Sequence, residues 1–115
     1  MIDPAERARY MADGRAAFNR GDYYDAHEHW EAVWDDADEP ERQWLQGMIQ
    51  IATGLHKLSQ RNSEVARRLI TSGLGKLAGA PARIDGIDVA GMRGAAERVV
   101  QALTAHLPPP ALPAI

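Results

Sequence analysis

The chemistry available to this chain is concentrated on two short stretches in its first half. In Tyr23-Tyr24-Asp25-Ala26-His27-Glu28-His29-Trp30-Glu31-Ala32-Val33-Trp34, His27 and Glu31 stand one helical turn apart, so an imidazole and a carboxylate would project side by side. Glu28 lies further out. Tyr23, Trp30 and Trp34 fall on one face with Ala26 and Val33, while Tyr24, His27 and Glu31 border it. An aromatic stripe at helical spacing ordinarily buries apolar area. The acid–base pair would then stand at the rim of a wall made by Tyr23, Trp30 and Trp34. It could hydrogen-bond a neighbouring helix, or it could hold a ligand or a divalent metal. The zinc-protease pattern is absent, because the position that needs a second histidine is Glu31. A His-Glu-x-x-Glu helix would need another helix to complete a metal shell.

The second stretch runs from Trp44 to Leu58. Trp44, Met48, Ile51, Ala52, Leu55 and Leu58 form a broad apolar arc with Leu45 and Ile49 at its edge. His56 falls on that arc, and a buried histidine needs a partner, which His27, Glu28 or Glu31 could supply. The opposite face holds Gln46, Gln50, Thr53 and Lys57, flanked by Gly47 and Gly54. Glycine weakens a helix, so two at heptad spacing point to close approach of another backbone, or of a ligand. His27, Glu28, Glu31, Gln50 and His56 are therefore the candidate ligand or metal residues. If the cluster is catalytic, Glu31 or His56 is the general base and metal-assisted hydrolysis the reaction class. No glycine-rich phosphate loop and no nucleophile elbow is present. Two functions compete: a module that binds a small ligand, metal ion or partner group, and a protein-interaction or homodimerisation module in which the cluster is structural.

Positioning these residues requires an all-α fold. The apolar period is helical almost throughout, and 115 residues with 45% apolar and 25% charged content suffice for one core. Five helices are expected. The first runs from Pro4 to Arg20, closed by Gly21, with Tyr10, Met11, Gly14, Ala17 and Phe18 on one face. Asp22 caps a second that reaches Ala37. Asp38-Glu39-Pro40 opens a third that continues to Gln60. Asn62 or Ser63 caps a fourth to Leu77, and Gly79-Ala80-Pro81 breaks the pattern before a loop. Asp88 caps a fifth, where Val89, Met92, Ala96, Val99, Leu103 and Leu107 recur at core spacing. The expected organisation is one helical domain over residues 1–107 and a flexible Pro-rich tail over 108–115. An echo relates Phe18–Ala26 to Leu58–Ala66, as in two stacked tetratricopeptide-like hairpins.

With no cysteine, disulfides and thiolate chemistry are excluded. No signal-like or membrane-spanning run is visible, so a cytoplasmic location is expected. The net charge of −3 argues against nucleic acid as a partner. Its distribution is uneven. From Asp22 to Glu41 there are nine carboxylates and no Lys or Arg, whereas Lys57 to Arg83 holds six basic residues and one acid, Glu64. The two segments are expected to face each other, within one chain or across a homodimer.

The pattern Phe18-Asn19-x-Gly21-x-Tyr23-x-x-Ala26-His27-Glu28-x-Trp30-Glu31-x-x-Trp34, followed by Gln46-Gly47-x-Ile49-Gln50-x-Ala52-x-Gly54-x-His56-Lys57, resembles the small bacterial and archaeal proteins of domain-of-unknown-function family 309. The likeness extends weakly through Ala66-Arg67-Arg68-Leu69 and Gly86-Ile87-Asp88-Val89. It implies a compact bundle of about five helices and no activity. Its motif positions correspond to His27, Glu28, Trp30, Glu31, Gln50 and His56.

Overall fold

The computed structural model describes residues 1–115 and contains five helices: α1 (Pro4–Asn19), α2 (Tyr23–Trp34), α3 (Glu41–Ser59), α4 (Ser63–Lys76) and α5 (Val89–Thr104). The starts of α1, α4 and α5 follow from side chains that satisfy orphan backbone donors, whereas the Asp22 carboxylate, expected to cap α2, accepts from Arg20 instead and makes no cap. The Glu6 N–H donates to Asp3 at 2.8 Å, and the Asp3 N–H donates to the Glu6 carboxylate at 3.4 Å, closing a capping box on α1. Asn62 accepts from the Val65 N–H and Asp88 from the Gly91 N–H.

The echo between the two hairpins is structural. Gly21 (φ 86°) and Arg61 (φ 63°) occupy equivalent positions, and both take the left-handed conformation that ends a helix. The next residue then donates back in the same way, Asp22 to the Ala17 carbonyl and Asn62 to the Lys57 carbonyl, each at 2.9 Å. Four residues on, Ala26 and Ala66 are both fully buried. α1 packs on α2, α2 on α3, α3 on α4 and α4 on α5.

Two helices stop earlier than their periodicity suggests. α2 ends at Trp34 instead of Ala37, because Asp35, Asp36, Asp38 and Glu39 crowd negative charge where the helix dipole is already negative. α5 ends at Thr104 instead of Leu107. Pro108 disfavours helical geometry at the residue before it, His106 turns left-handed (φ 56°), and Leu107 is left 60% exposed. The loop after α4 contains a small hairpin, β1 (Arg83–Ile84) paired antiparallel with β2 (Ile87–Asp88). Asp85 and Gly86 supply the two positive-φ positions of a two-residue turn.

The tail is extended, as its prolines require, and it lies against the helices. The Ile115 N–H donates to Asn19 Oδ1 and its carbonyl accepts from the Asp88 N–H, both at 2.8 Å; the side chain is 3% exposed. An isoleucine that removes its methyls from water accounts for this docking of a segment expected to be mobile. No helix is long and apolar enough to cross a membrane.

α3 is the central helix, burying Leu45, Met48, Ile51, Ala52 and Leu55. The heptad glycines mark its contact with α4. A Cβ on Gly47 would lie 2.7 Å from the Gly73 carbonyl oxygen, and one on Gly54 would lie 2.6 Å from an Ile70 methylene. Close backbone approach is therefore their role. Arg7 fastens the first turn of α1 to the start of α3 and to the hairpin turn. It binds Glu41 through two bonds of 2.5 and 3.0 Å and Asp85 at 3.0 Å. These hydrogen bonds, the Glu41 bond foremost, raise the guanidinium's pKa above its ordinary value.

Candidate functional site

α2 divides its aromatic residues between two sides. Trp30 is fully buried against α1, where it fills the space over Gly14; a Cβ there would fall 2.2 Å from the indole nitrogen. Its N–H approaches the Met11 carbonyl at 3.5 Å, and its ring lies 5.8 Å from that of Phe18. Trp30 is thus a core residue and forms no wall of the polar cluster, because α1 claims that face of α2. Tyr23 packs edge-on against Phe18 at 5.1 Å, and burial raises the pKa of its phenol. Trp34 does line the groove between α2 and α3. The guanidinium of Arg42 stacks over its ring at 4.0 Å.

On the α2–α3 side, His27 and Glu31 form the expected pair. His27 Nδ1 donates to the Tyr24 carbonyl at 2.6 Å, which fixes the ring and turns Nε2 toward Glu31 Oε2 at 3.4 Å. An open hollow of about 380 Å³ is lined by Tyr24, His27, Glu28, Glu31, Ala32 and Asp35. Glu31 also lines a second hollow of about 230 Å³ with Trp34, Gln46, Ile49 and Gln50. The two adjoin at Glu31: the first is lined by α2 and its C-terminal cap residue, the second by α2 and α3. Gln50 Oε1 and Trp34 Nε1 are buried from solvent without a hydrogen-bond partner. Buried polar atoms of this kind are few in folded proteins, and each calls for an explanation.

His56 stands apart from this groove. It is half-buried, so it is not the enclosed core histidine that its arc suggests. It lines a separate hollow of about 260 Å³ with Gly21, Asp22, Tyr23, Tyr24, Asp25 and Ser59. The Tyr24 ring lies between the two histidines, 4.8 Å from His27 and 5.3 Å from His56. The structure therefore brings together His27, Glu28 and Glu31 at one hollow, places Gln50 beside Glu31 at the next, and leaves His56 across an aromatic spacer.

The metal expectation finds no support in this arrangement. No group of three or more His, Asp or Glu side chains converges in an arrangement that could hold an ion. Two donors on one helix do not complete a shell, and the histidine that α3 would contribute lies beyond Tyr24. Asp35, Gln46 and Ile49 line the two hollows but are not among the candidate residues that the sequence singles out. Asp35 is signalled only by its i+4 relation to Glu31, and Gln46 by its i+4 relation to Gln50.

The pattern that defines the domain of unknown function (DUF309) matches residues 11–69, which contain α2, α3 and every candidate residue named above. An uncharacterised protein of Aquifex aeolicus (strain VF5) is 27% identical over 101 residues, covering 87% of this chain. The chain spans 30% of the length of that relative.

Proposed function

Since the chain belongs to the DUF309 family, whose description assigns no activity, we propose a function from the groove itself: it recognises a positively charged, hydrogen-bond-donating group such as an amine or guanidinium. The observation that carries this reading is the run of acceptors lining the two hollows that share Glu31. Glu28, Glu31 and Asp35 surround the first, and the unpartnered Gln50 Oε1 belongs to a residue of the second. An anionic ligand would meet three carboxylates, whereas an ammonium would meet acceptors along the groove. Arg42 already places a guanidinium on the Trp34 ring, the kind of contact such a ligand would extend.

The expected affinity is modest. Exposed ion pairs contribute about 0.2–1 kcal/mol each, so a simple diamine that makes two of them should bind only in roughly the range of tens of millimolar or weaker. A longer polyamine that also reaches Gln50 should bind more tightly. The test is a thermal-shift series with spermidine and arginine amide, with glutamate and phosphate as controls. Stabilisation by the amines, absent with the anions and lost in Glu31→Gln, supports the reading. Equal shifts in wild type and Glu31→Gln, or no shift with spermidine up to about 100 mM, refute it.

A further inference from the structure

The charge segregation of the sequence is left unresolved inside the chain. α2 packs on α1 and α3, and α4 packs on α3 and α5, so α3 stands between the acidic and the basic segment. No ion pair joins them. The acids of the first segment pair with residues near the N-terminus, Asp36 with the Met1 amine, Glu41 with Arg7 and Asp22 with Arg20. In the second segment, Arg67 and Arg68 meet Glu64 within their own helix. Asp25, Glu28, Asp35, Arg61 and Arg68 remain exposed. Of the two arrangements that segregation allows, within one chain or across two, the fold has removed the first.

We infer that the basic side of a second copy of this chain supplies the cationic group that the α2–α3 groove receives. This inference rests on the cation-recognising reading of the groove. Gln50 marks the midline of the surface. It lines the hollow with Glu31 on the α2 side, and on the α4 side its Cβ lies 3.2 Å from the position of a Cβ on Gly73. The acid-rich α2 and the base-rich α4 both pack on α3, the helix that carries Gln50. A two-fold axis through the midline brings the acidic side of each copy onto the basic side of the other, and both contacts close at once. Such an interface is self-complementary, is favoured at low salt and ends at the dimer.

The experiment is sedimentation velocity on three proteins, each checked for wild-type helicity by circular dichroism. One is the wild type. The second carries Glu28→Lys and Asp35→Lys, which reverses two exposed acids on the acidic side, and the third carries Arg61→Glu and Arg68→Glu, which reverses two exposed bases on the basic side. The expected result is a wild-type dimer whose dissociation constant rises about tenfold or more between roughly 50 and 500 mM salt. Each variant alone is monomeric, and an equimolar mixture of the two gives a heterodimer. A wild type that stays monomeric at low salt overturns the inference, as does a dimer unmoved by salt and by both reversals. If the wild type is monomeric while spermidine still stabilises it through Glu31, only the partner assignment fails. If spermidine has no effect as well, the groove reading fails with it.

Discussion

Replacing Gly73 by alanine should destabilise the protein, and the same change two residues later should stabilise it. Both glycines lie in α4, where alanine is intrinsically better by about 1 kcal/mol. At Gly75 nothing lies within 4 Å of an added Cβ, so most of that gain should appear, about 0.5–1 kcal/mol. At Gly73 the added atom would lie 2.6 Å from the Gly47 carbonyl oxygen and 2.9 Å from an Ile51 methylene. An ordinary contact needs about 3.5 Å, so α3 and α4 must separate by most of an ångström. The obstruction is backbone, which has no alternative rotamer. Overpacking of this kind costs about 1–3 kcal/mol, and a rigid obstacle belongs at the upper end. After subtraction of the helix gain, the net loss is about 2 kcal/mol. For a domain of this size that is a fall in Tm of roughly 6–12 °C, against a rise of about 2–5 °C for Gly75→Ala. Thermal melts followed by circular dichroism measure both. A Gly73→Ala protein as stable as Gly75→Ala would refute the claim that α3 and α4 meet backbone to backbone.

Arg61 holds a left-handed conformation that glycine adopts without a Cβ penalty, as Gly21 does at the equivalent turn. Arg61→Gly should therefore raise stability by about 0.5–1 kcal/mol in urea denaturation, and an equal loss would contradict the equivalence of the two turns. Acid should weaken the start of α1. The Glu6 backbone N–H holds the Asp3 carboxyl below its ordinary 3.8, so its contribution is complete above that value and is lost as pH falls through the lower, folded one. Asp3→Asn keeps a capping oxygen and should match the wild type near neutrality while showing a shallower fall in Tm below about pH 4. Identical acid limbs would show that the cap is not titrating.

Much of this fold is legible in the sequence because its helices bury broad apolar faces and because Gly21 closes the first while Asn62 and Asp88 cap the starts of the fourth and fifth. The β1–β2 hairpin is not, since two-residue strands carry no alternation; only Asp85-Gly86 signals the turn. The early end of α2 depends on summed charge instead of a breaker residue. The candidate site is legible as a location but not as a geometry. His27 and Glu31 are neighbours on one helix and meet as expected, whereas the position of His56 depends on how α3 crosses α2 and on the ring of Tyr24 between them. Periodicity places Trp30 and Trp34 on one stripe, yet α1 covers the first and the groove takes the second. The tail divides in a related way: proline content speaks for an extended chain, while the contact of Ile115 depends on a distant partner, Asn19.

The central claim, that the α2–α3 groove receives a cationic group, is tested most directly by following the three indole N–H signals in a ¹H–¹⁵N spectrum during a spermidine titration. The account predicts a saturable shift of the Trp34 indole signal together with the Gln50 side-chain amide, while the Trp30 indole, buried against α1, stays in place. Saturation that leaves Trp34 and Gln50 unmoved, or moves Trp30 as much, would contradict it.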